Sequence, residues 1–487
     1  VKAGLEAARA VLAGEPAWLV GGSTRDRELG RVSTDLDVVV DVDPGEAARA
    51  IARAAGGAAC FALSEQFGAW RVVARDHSWQ VDLEPLRGGS LERDLALRDF
   101  TVNAIAEPIA GGPPIDPLGG LADLAARRLR VAGPGAFVED PLRVLRLVRV
   151  AVELDLVPEE ETMSLARAQA DGLRGVSGER VFAELCRIIG SAQALRGLEL
   201  LGQLGATAVV LPELEAMRGV EQNRYHHLDV YDHTLEVLAR TIALGAQGDG
   251  LAEGDELADG GALAPHRGRV LALLAEPLAD GLTRGEALRW GALLHDAAKP
   301  LTQEFLPGDG RVTFIGHDTR GAQLARGVLE RLRASERTKA YVAALVRHHL
   351  RAGFLVHEPQ PLARRTVYRY LALTTPVEVD VTLLSIADRL ATRGDRAAEA
   401  IAAHVRLADS LLKDALDWRA GARPRPLLRG DELAHALKIP TGPVIGELLE
   451  HLAEAQYAGE VADPAQALAY ARECLERGDR ASGSSSK

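Results

Sequence analysis

The chain has 487 residues, 47% of them hydrophobic but only 4% aromatic, and a net charge of −12. That length exceeds what one core supports, so about three or four domains are expected, with cores built mainly from Ala, Leu and Val. The acidic balance excludes a protein coated in basic surface but not a local basic patch. Cys60, Cys186 and Cys474 are isolated from zinc or thioredoxin spacings, which predicts reduced thiols. With no apolar run of membrane-spanning length and no secretory signal before Gly4, a soluble cytoplasmic protein with no membrane partner is expected.

The first predicted elements are a strand at Ala17–Val20, a Gly21-Gly22 turn, a short helix over 23–29 and a strand over 36–40. Adjacent glycines let a phosphate approach bare backbone N–H groups at a helix N-terminus, where the dipole favours anions, and Arg25 adds a cation. Asp35 and Asp37 stand two apart, so they share one face while Leu36 and Val38 turn into the core. Two hard oxygen donors side by side suit Mg²⁺, which keeps waters and takes substrate phosphates as its other ligands. Singly, a Gly-Gly turn and an Asp-x-Asp loop edge are ordinary. Joined in this order, they resemble the opening of the DNA polymerase β-like nucleotidyltransferase superfamily.

A helix over 44–55 and strands over 58–63, 69–74 and 80–84 continue the alternation towards Gly135. From Trp79 to Glu84 apolar and polar residues alternate, which leaves Asp82 as either a third carboxylate or part of a solvated strand edge. Then come Arg98-Asp99-Phe100-Thr101-x-Asn103 and Ile115-Asp116-Pro117-x-Gly119-Gly120. An Arg to hold a triphosphate, an Asp to accept from a ribose hydroxyl and an Asn to fix orientation make chemical sense together. A helix is expected to open at Pro141 with Asp140 as its N-cap. Asp140 and Arg143 also face one side, three apart, and offer acceptors and a donor fork to a nucleobase edge. Arg146 and Arg149 extend the basic stripe that Arg143 begins.

These motifs, with Glu139-Asp140-Pro141-Leu142-Arg143 and the later Glu179-Arg180 and Glu184, resemble class II CCA-adding tRNA nucleotidyltransferases and bacterial poly(A) polymerases over roughly residues 18–214. The resemblance implies an α+β chain: a small polymerase β-like head with a mixed sheet and helices (1–135), then a helical, RNA-binding neck (136–225). It implies Mg²⁺ at Asp35 and Asp37, with Asp82 as the further catalytic carboxylate. Gly21, Gly22, Arg25, Arg98, Asp99 and Asn103 would serve triphosphate and ribose. Asp140 and Arg143 would pair with the incoming base as a protein template, and Arg146 and Arg149 would flank the nucleotide. Two departures stand out: Leu97 replaces an Arg that many members carry, and the stretch between Asp82 and Asp99 is shorter than the flexible loop usual in members that add the whole CCA.

Beyond about Val220 the strands are expected to end and histidines to appear: Tyr225-His226-His227 leading to His233, then His295-Asp296, His317, His348-His349 and Asp388. A lone His on a helix is ordinarily structural. A His, a His-Asp pair, two further His and a late Asp in this order resemble HD-domain metallohydrolases, here over 226–395. The resemblance implies His233, His295, Asp296, His317, His348 and Asp388 as ligands of a divalent metal, with Ni, Mn and Mg as candidates. Residues 248–256 read as a solvated insertion loop. A helical tail follows (396–480), in which Gly442 and Gly446 suit helix packing better than RNA phosphate, and then a flexible end (481–487).

The expected function is therefore template-independent addition of CMP and/or AMP, from CTP and ATP, to the 3′ end of tRNA or another RNA, with a second, HD-type phosphohydrolase activity. The short stretch after Asp82 leaves full CCA, CC-only, A-only and poly(A) addition open. A protein-modifying nucleotidyltransferase with an HD domain is a more distant alternative, because no strand-rich regulatory repeats follow Asp395. An RNA-binding protein with an inert head is disfavoured, because both carboxylates are present. Assembly as a homo-oligomer is left open.

Overall fold

The computed structural model describes residues 2–31, 35–64, 68–222, 227–245, 264–307, 311–393 and 397–483. Tyr225, His226, the expected loop at 248–256, Asp395 and residues 484–487 lie outside these. The chain divides into two compact units, Val1–Pro212 and Glu213–Lys487.

The first unit is built on a six-stranded sheet: β1 (Ala17–Val20), β2 (Asp35–Val40), β3 (Ala59–Ser64), β4 (Ala69–Val73), β5 (Gln80–Pro85) and β6 (Ala106–Pro108), in the order β3-β4-β5-β2-β1-β6. Within this sheet, among the described residues, only β2 and β5 pair in parallel, because the Pro44–Ala54 helix and the β3–β4 hairpin intervene between them. That helix is capped by Asp43, which accepts from Glu46 N at 2.7 Å, and it starts at a proline. Its Ala47, Ala48, Ile51 and Ala52 pack on Val38, Val72, Val81 and Leu83 of the sheet. Two glycines make room for tryptophan rings: a Cβ on Gly45 would stand 2.7 Å from the Trp70 ring, and one on Gly4 2.6 Å from Trp79. β6, three residues long, is too short to show periodicity in the sequence.

Beyond the sheet, the Arg143–Leu154 helix packs against the Gly178–Gly190 and Ala194–Gln203 helices, and these two meet so closely that a Cβ on Gly197 would come 2.6 Å from Ile188, and 3.5 Å from Val152 of the first helix. The expected start at Pro141 is two residues early. Arg143 N and Val144 N bond to Asp140 O and Pro141 O, a pair of tight turns preceding the α-helix. Asp140 still caps that turn, accepting from Leu142 N at 3.2 Å.

The second unit is helical, but strands do not end at Val220. Two small hairpins pair Pro277–Ala279 with Leu282–Thr283 and Glu304–Phe305 with Val312–Thr313. The Val230–Leu244, Arg284–Leu294, Glu336–His348 and Glu378–Ala391 helices form its core. Arg284, buried among them, pairs with buried Asp380, which also accepts from Tyr341 Oη at 2.6 Å. Tail helices Gly430–Leu437, Pro443–Tyr457 and Pro464–Gly483 share a separate small core around Leu433, Leu448 and Leu452. A Cβ on Gly442 or Gly446 would meet nothing within 4 Å, so neither glycine packs on a helix as expected; both lie on the exposed start of the second tail helix. Among the described residues, no single helix is long and apolar enough to cross a membrane.

Candidate active site and candidate metal centre

The polar end of the sheet opens into a cleft of about 500 Å³, lined among others by Gly21, Asp35, Asp37, Asp82, Arg98 and Arg146. β1 runs antiparallel to β2 with Val20 opposite Asp37, so the turn that follows β1 lies beside that carboxylate. Gly21 there has φ 70° and ψ −139°, a conformation that L side chains avoid. A Cβ at this position would stand 3.0 Å from Asp37 Oδ2 and 3.4 Å from Arg98 Nη1. The parallel register places Asp82 directly opposite Asp37. β5 lies inside the sheet, so Asp82 is not on a solvated edge; it accepts a two-pronged pair from Arg71, at 2.7 Å each.

Burial pushes Asp37 up to about 6; Arg98 opposes this, while Glu84, Asp82 and Asp35 add to it. Carboxylates crowded in this way fit a divalent cation, which relieves both their burial and their mutual repulsion. Asp35 and Asp37 would hold it, with Asp82 alongside.

Arg98 is anchored at Nε, 3.3 Å from Asp94 Oδ2, and the fully buried Asp94 also accepts from Arg87 at 2.8 Å. Its Nη2 is buried with no hydrogen-bond partner among the described residues, a donor suited to a phosphate oxygen. Asp99 is saturated: Oδ2 accepts from Arg146 at 2.9 and 2.6 Å, and Oδ1 from Phe100 N and Asn103 Nδ2 at 2.8 and 2.9 Å. Burial alone would raise its pKa, but Arg146 and these bonds bring it down to about 2. Asn103 Oδ1 in turn accepts from Arg25 Nη1 at 2.5 Å, so Arg25, Asn103, Asp99 and Arg146 form one frame across the cleft. The Ile115-to-Gly120 motif is scaffolding for it. Asp116 accepts from Gly120 N and Leu121 N, and a Cβ on Gly120 would collide with Thr101 O at 2.1 Å.

Asp140 and Arg143 are not among the residues lining this cleft. Asp140 Oδ2 accepts from Arg180 at 2.7 Å, and Arg143 donates to Ala136 O and Leu97 O at 3.2 and 3.0 Å. Arg149 is buried, with Nε 2.6 Å from Glu184 Oε2. Two arginines of the cleft went unforeseen. Arg71 arrives only through the β4–β5 register, which sets it opposite Asp82. Arg187 shares a helix face with Glu184, three residues earlier, and that spacing could have found it.

In the second unit, side chains converge on the buried Asp296. Its Oδ2 lies 3.1 Å from His295 Nε2 and 3.8 Å from His233 Nε2; its Oδ1 lies 3.3 Å from His317 Nε2 and 3.9 Å from His349 Nε2. His233 Nε2 is also 3.0 Å from Asp388 Oδ1, and Lys299 Nζ is 2.7 Å from Asp296 Oδ2. His295, His317 and His349 each engage through Nδ1 the carbonyl three residues back, at 2.8, 2.6 and 2.7 Å, which turns each Nε2 inward. Among the described residues the buried His295 Nε2 has Asp296 Oδ2 beside it at 3.1 Å but no well-aligned hydrogen-bond partner. A cluster whose rings are steered from behind, so that several Nε2 atoms crowd one buried carboxylate, fits a bound cation. Two overlapping trios, His233-His295-Asp296 and Asp296-His317-His349, have spacings that could hold one.

One expected ligand is displaced by a residue. His348 is only partly buried and its Nδ1 accepts from Arg351 Nε at 3.2 Å, whereas His349 is in the cluster. Neighbours on a helix point about 100° apart, so only one of the pair can enter. Val342 and Val346, buried on the same face, already point to 349.

A mixed sheet carrying two same-face carboxylates beside a Gly-Gly turn, and a separate helical His-Asp centre, define a nucleotidyltransferase head followed by an HD-type unit. The sequence matches the poly A polymerase head domain over residues 17–130, the probable RNA and SrmB-binding site of polymerase A over 155–218, and the HD domain over 266–393. It is 37% identical over 465 residues to the A-adding tRNA nucleotidyltransferase of Deinococcus radiodurans, covering 94% of this chain and 96% of that one. With the CC-adding tRNA nucleotidyltransferase of Thermus thermophilus it shares 34% identity, covering 93% and 92%. The chain belongs to the tRNA nucleotidyltransferase family and is a nucleotidyltransferase. In fold it is similar to the Thermotoga maritima CCA-adding enzyme complexed with tRNA (TM-score 0.58, 19% identity, 97% and 94% covered). It is similar also to a CCA-adding enzyme complexed with ATP (TM-score 0.63, 19% identity, 97% and 95% covered).

Proposed function

We propose that the head transfers CMP or AMP from CTP or ATP to the 3′ end of tRNA, with release of pyrophosphate. The observation that carries this reading is Asp37, set between the open Gly21 turn and Asp82 and facing Arg98. Asp35 and Asp37 hold Mg²⁺; what Mg²⁺ supplies when bound is activation of the RNA 3′-hydroxyl and steadying of the leaving pyrophosphate. Arg98 receives a phosphate oxygen through Nη2, and the bare backbone at Gly21 and Gly22 lets the phosphates approach. The Asp99 frame keeps Arg146 and Asn103 in place. Asp35→Ala and Asp37→Ala should each lower nucleotide addition by several orders of magnitude with little loss of melting temperature. Substantial Mg²⁺-dependent addition by both variants would remove the reading.

The head adds one segment of the terminus, CC or A. Between Asp82 and Asp99 the chain is filled by the end of β5, a short turn and the Leu91–Ala96 helix, which is capped by Ser90 and pinned by Arg87 on Asp94. Little there is left to rearrange when one base replaces another, and the relatives quoted above bear A-adding and CC-adding names. The test is a single-nucleotide ladder on tRNA ending before, within or after CCA, with CTP and ATP supplied separately. Synthesis of the whole CCA by the purified chain would overturn this part alone.

The second unit is a metal-dependent phosphohydrolase, with nickel, manganese or magnesium at the His-Asp cluster and a 2′,3′-cyclic phosphate or a nucleoside phosphate as substrate. Its supporting observation is the inward turn of the Nε2 atoms around Asp296. His295→Ala combined with Asp296→Ala should eliminate hydrolysis and spare nucleotide addition. Wild-type protein that retains no metal and cleaves none of these substrates across a divalent-ion panel would sink it.

A further inference from the structure

Arg71 has no part in the nucleotidyltransfer reading, although it lines the cleft and binds one of its carboxylates. The strand order β4-β5-β2-β1 and three registers set a row across the sheet: Arg71 opposite Asp82, Asp82 opposite Asp37, and Asp37 opposite Val20, next to the Gly21 turn. At about 4.8 Å per strand, the row spans roughly 14 Å. The phosphates approach at its Gly21 end, where a Cβ on Gly21 would stand 3.4 Å from Arg98 Nη1. In an in-line displacement the leaving and attacking oxygens stand on opposite sides of phosphorus. With pyrophosphate leaving at the Gly21 end, the RNA 3′-hydroxyl comes in over Asp82. There Arg71 donates to both carboxylate oxygens, Nε to Oδ1 and Nη2 to Oδ2, at 2.7 Å each. Such a fork fixes the plane of the carboxylate as well as its place, and offsets its charge.

We infer that Arg71 is a positioning residue for nucleotide addition: its fork keeps Asp82 turned to the RNA 3′-hydroxyl and holds it back from joining Asp35 and Asp37 as a third full metal ligand. This rests on the nucleotidyltransfer reading and adds to it a division of labour among the three carboxylates. Asp82 lies one strand spacing from Asp37, about 4.8 Å, so without Arg71 it would bring a further hard oxygen and an uncompensated negative charge to that site. The site would then bind a divalent cation more tightly, while the hydroxyl lost the group that orients it.

The experiment follows two quantities in the full chain: Mn²⁺ binding without nucleotide, read from the electron paramagnetic resonance of free Mn²⁺, and single-turnover addition of CMP or AMP to tRNA with Mg²⁺. The head's Mn²⁺ site is the one lost in Asp37→Ala, which separates it from the His-Asp cluster. Arg71→Gln should tighten that site about fivefold, as expected when a nearby positive charge is removed. It should also slow addition on the order of 10²-fold, the cost of a misplaced reacting group. The KM for ATP or CTP should stay within about twofold, because Arg71 stands at the far end of the row from the phosphates. Arg71→Lys keeps the charge and one prong, so it should bind Mn²⁺ like the wild type and recover part of the rate. With Asp82→Asn already present, Arg71→Gln should leave Mn²⁺ affinity unchanged. Mn²⁺ affinity that falls together with the rate would make Arg71 a structural residue only, and a raised nucleotide KM with unchanged turnover would make it a phosphate ligand. Either result overturns the inference, as does wild-type turnover in Arg71→Gln. If the wild type itself adds no nucleotide to tRNA, the nucleotidyltransfer reading fails, whatever the Mn²⁺ titrations show.

Discussion

Replacing Gly21 with alanine gives a graded test of the head. Alanine at φ 70° and ψ −139° costs about 1–3 kcal/mol of backbone strain. A stability loss of that size lowers the melting temperature of a unit of this length by roughly 2–4 °C per kcal/mol. The added Cβ also stands 3.0 Å from Asp37 Oδ2, so the carboxylate must give way by a few tenths of an ångström or more. Small misplacements of a reacting group cost on the order of 10²-fold in rate, so nucleotide addition should fall much further than the stability change alone explains. The internal control is Gly30→Ala in the same unit, which also lies at positive φ (68°) but whose Cβ would meet nothing within 4 Å among the described residues, so it carries the strain without touching Asp37. Single-turnover incorporation of labelled ATP and CTP into tRNA lacking its terminus, with calorimetric melting of the same samples, separates the two effects. If Gly21→Ala retains wild-type turnover, or Gly30→Ala is equally damaging to turnover, the turn does not hold Asp37 in the way described.

Arg143 donates to two backbone carbonyls, so Arg143→Ala should cost about 2 kcal/mol in lost charged hydrogen bonds, seen as a lower melting temperature, beyond any change in the CTP-to-ATP preference. A change in preference with no loss of stability would instead support base reading from another arrangement. His349→Ala should release metal from the second unit and stop its hydrolysis while His348→Ala leaves both intact, as metal analysis after dialysis would record; the reverse pattern would refute the cluster. Asp99, held at about 2 against an ordinary 3.8, contributes stability of about 2 kcal/mol that is complete above its unfolded pKa and is lost as pH falls from about 4 through about 2. Asp99→Asn should abolish that component of the acid transition, and an unchanged acid-melting curve would contradict it.

What the sequence determined by itself was whatever local periodicity controls. Alternation set the ends of β1 to β5 to within a residue or two and put Asp35 and Asp37 on one face, because side-chain direction along a strand depends only on residue parity. The order of His233, His295-Asp296, His317 and Asp388 was likewise readable, since each is a fixed residue on a recognisable helix or at its end. The tertiary structure decided what depends on register and on which face of a helix is buried. Asp82 meets Asp37, and Arg71 meets Asp82, only because β2–β5 and β4–β5 pair in those registers, between segments far apart in the chain. His349 rather than His348 enters the histidine cluster because a helix turns neighbours about 100° apart and the buried face picks one of them. Asp140 and Arg143 had the spacing of a base-reading pair, yet their partners are Arg180 and two backbone carbonyls. Spacing fixes which side chains share a face; only packing between distant segments decides what that face touches.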